Sequence, residues 1–106
     1  MKIHYYVALT AAMTVSATAL AAGNGEALFK KSNCTACHAT DKKSVGPSLK
    51  EIAHKYSGSK GAQAKLEAKT RSGGSGSFGK MPMPATPKTV SDGDIKTMVA
   101  WILATK

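Results

Sequence analysis

Cysteine and histidine are scarce in this chain, which has two cysteines, Cys34 and Cys37, and three histidines among 106 residues. Only one cysteine pair exists to supply a structural zinc site, which usually takes four protein ligands. A disulfide within the pair would enclose two residues and would therefore remove little chain entropy. A redox dithiol is typical of a βαβ fold, and no such pattern is visible. These three readings remain as alternatives for the pair.

Acidic residues are also few, since six Asp and Glu stand against 15 Lys and Arg, for a net charge of +9. Such a surface is typical of proteins that meet nucleic acid, an anionic membrane or an acidic protein. The lysines are spread along the chain instead of forming a short run, so nucleic acid is not expected. An acidic partner protein is the favoured prediction, and a merely solvated basic surface is the alternative.

The chain has one extended apolar run, residues 5–20, which follows a weakly basic start. Four hydroxyl residues interrupt this run, and it is short for a retained transmembrane anchor. An Ala-Leu-Ala pattern at residues 19–21 matches the cleavage site of a secretory signal. We therefore expect a cleavable signal peptide over residues 1–22 and one domain over residues 23–106, with no stable membrane insertion after cleavage.

Residues 34–38 read Cys-Thr-Ala-Cys-His, the attachment sequence of a covalently bound haem. Positions i, i+3 and i+4 share one face of a helical turn, so Cys34 and Cys37 can present both sulfurs to one porphyrin. His38 is then placed to reach the iron as the proximal ligand. Bacteria attach haem covalently outside the cytoplasmic membrane, so the motif and the signal peptide together predict the bacterial periplasm as the location.

The mature chain is predicted to be all-α, with about four short helices. Asn24 is the expected N-cap of a first helix that runs to about Lys31. Apolar periodicity predicts a second helix over residues 49–56 and, more weakly, a third over residues 61–70. Ser91 begins the last helix as its N-cap. We expect the first and last helices to cross, with Phe29 and Trp101 near their contact.

The sixth ligand of the iron decides the function, because an open position can bind gas or peroxide and a filled one mainly permits electron exchange. Met98 lies on the apolar stripe of the last helix, where core packing is expected, and His54 is typical of an exposed helix residue. Met81 and Met83 alternate with prolines that stiffen the backbone. On an extended segment their side chains point in opposite directions, so only one should face the haem. The properties of the two residues alone barely indicate which of them is the ligand.

Four features resemble the short monohaem class I bacterial cytochromes c in order and spacing: residues 34–38, 45–47 and 82–84, and the Trp101 helix. The resemblance covers essentially the whole mature chain. It implies the cytochrome c fold around one covalently attached haem c, with Met83 as the distal ligand. It also implies that the carbonyl of Pro47 accepts a hydrogen bond from the proximal imidazole. Two positions depart from the pattern: Phe78 stands where some relatives carry Trp near a haem propionate, and Pro87 follows the Pro-Met-Pro segment at residues 82–84.

The function implied is a soluble periplasmic one-electron carrier that is monomeric and is not an enzyme. It would shuttle electrons between respiratory redox proteins, with an acidic partner such as a respiratory complex, a terminal oxidase or a nitrite reductase. Two alternatives stay open: a gas-binding or peroxidase-type haem c protein with an open sixth position, and a dedicated electron-entry subunit of a larger oxidoreductase.

Overall fold

The structure, a computed structural model, describes residues 17–106, and the side chains of residues 24–106. Its elements in chain order are α1 (Ala17–Lys31), a 3₁₀ turn (Cys34–Ala36), α2 (Leu49–Lys55), α3 (Ala62–Ser72) and α4 (Asp92–Leu103). No strand occurs in this part of the chain, which confirms the all-α prediction. No helix in the described range has the length and apolar character needed to cross a membrane. Most of the predicted signal peptide, residues 1–16, lies outside the described residues.

Serine side chains begin two of the helices. The hydroxyl of Ser91 accepts a hydrogen bond from the backbone N–H of Asp94 at 3.1 Å, which confirms the predicted cap of α4. Ser48 caps α2 in the same way, through the N–H of Glu51 at 3.1 Å. The prediction that Asn24 begins the first helix is wrong. The helix already includes Ala17, the first described residue, so Asn24 lies inside it. The alanine-rich residues 17–22 have high helix propensity.

The last helix lies at the centre of the packing, since α1, α2 and α3 all contact α4. The predicted apolar stripe of α4 supplies its fully buried side chains. Aliphatic and aromatic residues of the other three helices pack against them, and this core contains Phe29, Leu49, Ile52, Leu66, Ile95, Met98 and Val99. Because each helix buries a face against the same element, the loops between the helices are held at defined positions around α4.

The first and last helices cross at short range, as predicted. The rings of Phe29 and Trp101 lie with centroids 5.3 Å apart and planes tilted by 52°. A Cβ atom on Gly25 would lie 2.3 Å from the Trp101 Cβ and 3.0 Å from the backbone oxygen of Thr97. The absence of a side chain at Gly25 therefore permits the close approach of α1 and α4.

Replacing Gly25 by alanine should destabilise the folded protein by about 1–3 kcal/mol, because the added methyl group overpacks the helix crossing. Gly93→Ala is the matched control, since a Cβ at this helical position meets no atom closer than the Ser91 Oγ at 3.9 Å. Helix propensity alone would make the control neutral or more stable by up to about 1 kcal/mol. Chemical denaturation measures both values, and equal stability of the two variants would contradict the close crossing.

Candidate haem site

The attachment motif forms one tight turn immediately after α1. Asn33 has a left-handed backbone (φ 62°), which turns the chain out of the helix and into the 3₁₀ turn. The carbonyl of Cys34 then accepts hydrogen bonds from the N–H groups of Cys37 at 3.2 Å and His38 at 3.0 Å. The side chains of these three residues line one cleft. The local geometry is the helical turn that the spacing of the motif predicts.

Cys34 and Cys37 are not joined to each other by a disulfide, and both are partly buried. Burial raises the pKa of the Cys34 thiol, and the nearby Cys37 raises it further, while a backbone hydrogen bond acts in the opposite direction. Reactive redox dithiols have a lowered pKa, because the thiolate is the species that attacks. Burial of Cys34 therefore does not favour the thiolate that attacks in a redox dithiol.

The imidazole of His38 is oriented by the segment that follows the motif. Its Nδ1 atom lies 2.7 Å from the carbonyl oxygen of Pro47. Because a carbonyl can only accept a hydrogen bond, Nδ1 carries the proton and donates, which leaves the lone pair of Nε2 available for a metal. A Cβ atom on Gly46 would lie 2.6 Å from the His38 Cε1 atom, so glycine allows the backbone to contact the ring.

The long loop between α3 and α4 brings Met83 to the same cleft. Gly74 and Met83 form an isolated antiparallel bridge, in which each N–H donates to the other residue's carbonyl at 2.8 Å. Gly73 has φ 69°, and a Cβ atom there would lie 2.3 Å from the Met83 carbonyl oxygen. The backbone of Met83 is thus held directly against the residues that follow α3.

The other three candidates for the sixth ligand lie in different surroundings. Met81 is 66% exposed, at the margin of the cleft. Met98 is 1% exposed and belongs to the hydrophobic core, although it also contributes to the cleft wall. His54 is exposed on α2 and is not among the residues that line the cleft. Met83, by contrast, is half-buried.

The cleft has the chemistry that a covalent haem requires. It encloses about 1210 Å³, including its open mouth. All four helices contribute apolar wall residues: Phe29, Leu49, Ile52, Leu66, Met98, Val99 and Ile102. Two thiols and an oriented imidazole line the same space as these residues. The residues present therefore fit a porphyrin that is bonded through its vinyl groups and ligated at its iron.

Several residues that shape the site were missed by sequence reasoning. Lys55 lies over the ring of Phe78, with its Nζ atom 4.3 Å from the centroid, and donates to the carbonyl of Ser77. Nothing in the sequence relates α2 to the glycine- and serine-rich residues 72–79, so this contact could not be foreseen. The Ser48 cap could have been found, because Ser48 and Glu51 match the capping-box spacing.

Comparison with known proteins gives concordant results. The sequence family described as Cytochrome c matches residues 22–106. Cytochrome c-551 of Pseudomonas aeruginosa is 41% identical over 106 residues and covers all of both chains. Cytochrome c-551 of Azotobacter vinelandii is 49% identical over 82 residues, which is 77% of this chain and 98% of the relative. The crystal structure of wild-type Nitrosomonas europaea cytochrome c552 superposes with a TM-score of 0.73 and 46% identity, over 76% of this chain and 99% of that one.

The turn that carries the two thiols, the oriented imidazole and the apolar cleft agree with these relatives in both sequence and fold. The chain belongs to the cytochrome c family, as a small monohaem class I electron carrier with covalently bound haem c.

Proposed function

We propose that this cytochrome is a soluble one-electron carrier of the bacterial periplasm, in which His38 and Met83 are the axial ligands of the haem iron. The placement of Met83 carries the proposal. It is half-buried in the cleft and its backbone is bridged to Gly74, whereas Met81 is 66% exposed. With both axial positions filled, electron exchange is favoured over substrate chemistry. The apolar residues 5–20 and the Ala-Leu-Ala pattern support export through a signal peptide over residues 1–22.

The bound haem supplies an iron that alternates between the ferric and ferrous states. The chain's contribution is to hold both proposed ligands in one geometry. Pro47 orients the imidazole of His38 through the hydrogen bond to Nδ1. Pro82 and Pro84 restrict the backbone on either side of Met83. Because neither ligand needs to move when the oxidation state changes, the reorganisation energy of electron transfer is small. A thioether ligand and a buried site both raise the reduction potential.

The charge around the cleft supports an acidic redox partner. Lys43 and Lys69 both line the cleft. Among the described residues that line it, Glu51 is the single acidic one. The exposed apolar side chains of Val45 and Met81 lie at the same cleft. A basic margin around an apolar patch suits an acidic protein surface, and the basic charge would accelerate the encounter. A respiratory complex, a terminal oxidase or a nitrite reductase would present such a surface.

The visible spectrum of the dithionite-reduced protein, with and without carbon monoxide, tests the proposed coordination. We expect a low-spin c-type spectrum that carbon monoxide leaves unchanged, because both axial positions are occupied by protein atoms. A carbon monoxide shift in the unmodified protein would contradict the proposal and would favour a gas-binding or peroxidase-type haem protein.

Two methionine substitutions assign the sixth ligand. Met83→Ala should open the iron, so that the ferrous protein binds carbon monoxide, while the control Met81→Ala should keep the parent spectrum. The two residues are chemically identical and two positions apart, so the comparison isolates placement in the cleft. Carbon monoxide titration followed by absorption measures both. The opposite result would assign the ligand to Met81.

Electron exchange with an acidic redox protein should slow as the salt concentration rises, because dissolved ions screen the attraction between the two surfaces. Lys43→Gln should lower the low-salt rate constant more than Lys96→Gln, since Lys43 lines the cleft and Lys96 does not. Each variant removes one positive charge, so the pair controls for net charge. Stopped-flow kinetics at two salt concentrations provides the measurement, and equal effects of the two variants would argue against docking at the cleft.

A further inference from the structure

Arg71, the chain's single arginine, makes four contacts from the C-terminal turn of α3. Its Nη1 atom donates to the carbonyls of Thr86 at 3.3 Å and Pro87 at 3.1 Å. Its Nη2 atom donates to the carbonyl of Val90 at 2.7 Å and to the Asp92 Oδ1 atom at 2.7 Å. All four acceptors belong to the stretch that connects Met83 to the start of α4. Arg71 therefore ties the methionine loop, residues 80–91, to α3.

The methionine loop has little means of holding itself in place. Pro82, Pro84 and Pro87 lack a backbone N–H, so the loop has few donors for internal hydrogen bonds. Its main backbone anchor beyond Met83 is Thr86, whose N–H and hydroxyl both donate to the carbonyl of Thr70, at 3.2 and 2.6 Å. The carbonyls of Thr86 and Val90 accept from the guanidinium of Arg71, and the Pro87 carbonyl accepts both from Arg71 and from the N–H of Val90.

We propose that Arg71 is a positioning residue for the sixth iron ligand, an inference that rests on the proposed ligation by Met83. The Gly74 bridge holds Met83 itself, and Arg71 together with Thr70 holds the chain three residues further on. The loop cannot swing away from the cleft without breaking contacts at one or both of these points. Arg71 thereby lowers the population of the state in which the thioether has left the iron.

The geometry of the contacts requires arginine at this position. A guanidinium is a planar group with five N–H donors, and here two donors on each terminal nitrogen meet four acceptors. A lysine ammonium has three donors around one atom and cannot reach all four. The carbonyl contacts are the important ones, because the carboxylate partner, Asp92, is 94% exposed and such an ion pair is weakened by water.

Carbon monoxide binding to the ferrous holoprotein tests the inference, since its rate follows the opening of the methionine loop. The parent should bind carbon monoxide only over long incubation, through rare opening of the loop. Arg71→Gln should bind it about tenfold faster, as expected for the loss of one or two net hydrogen bonds. Arg71→Lys keeps the charge and most of the side chain, and should lie between the two. Lys65→Gln is the matched control, because it removes one positive charge from an exposed position on the same helix.

A second measurement separates positioning from general stability. The ferric band of the iron–thioether bond should disappear at a lower temperature in Arg71→Gln, while helical circular dichroism persists. Loss of the band together with the helices, or carbon monoxide rates equal to those of Lys65→Gln, would overturn the role of Arg71. A parent protein that lacks this band, or that binds carbon monoxide readily, would instead refute the proposed Met83 ligation.

Discussion

Burial of the apolar face of α4 is the interaction on which the other parts of the structure depend. Ile95, Met98 and Val99 are almost fully enclosed, and α1, α2 and α3 pack on the same helix. The attachment turn leaves from the end of α1, and the methionine loop runs up to the start of α4. The cleft is consequently defined by helices that share one packing partner. A change in the position of α4 would alter the cleft walls and the start of every segment that lines it.

Backbone atoms, more than side chains, orient the groups proposed to ligate the iron. The carbonyl of Pro47 accepts from His38, and the peptide groups of Gly74 and Met83 pair with each other. Close approach is possible in both places because a glycine is present: Gly46 contacts the imidazole, and Gly73 lies under the Met83 carbonyl. Hydrogen bonds to backbone atoms have defined positions and cost little side-chain entropy, so they suit a site that should change little between two oxidation states.

The two departures from the pattern of related cytochromes have structural counterparts. Phe78, which lacks the indole N–H of tryptophan, packs on the core and is covered by the ammonium of Lys55. Pro87, which lacks a backbone N–H, offers its carbonyl to Arg71 and to the N–H of Val90. In each case a basic residue from a preceding helix contacts the unusual loop. The basic composition of the chain therefore serves loop structure as well as surface charge.

The sequence alone determined the features that depend on local spacing. The Cys-Thr-Ala-Cys-His motif predicted the haem, the stripe from Ile95 predicted α4, and Ser91 predicted where that helix begins. These succeeded because a helical turn brings residues three and four apart onto one face, whatever surrounds it. The beginning of the first helix was predicted wrongly, because the alanine-rich residues 17–22 are helical and place Asn24 inside the helix.

Tertiary structure alone decided what distant segments do to each other. From the residues themselves, Met81 and Met83 were nearly equivalent; the bridge to Gly74 and the difference in exposure distinguish them. The contacts of Arg71 likewise join α3 to a loop that no local pattern relates to it. Such pairings follow from how whole helices pack, and a helix packs according to the summed burial of its face. No single motif specifies that sum. The sequence therefore predicted the haem, and only the fold showed that Met81 and Met83 differ in exposure and in backbone contacts.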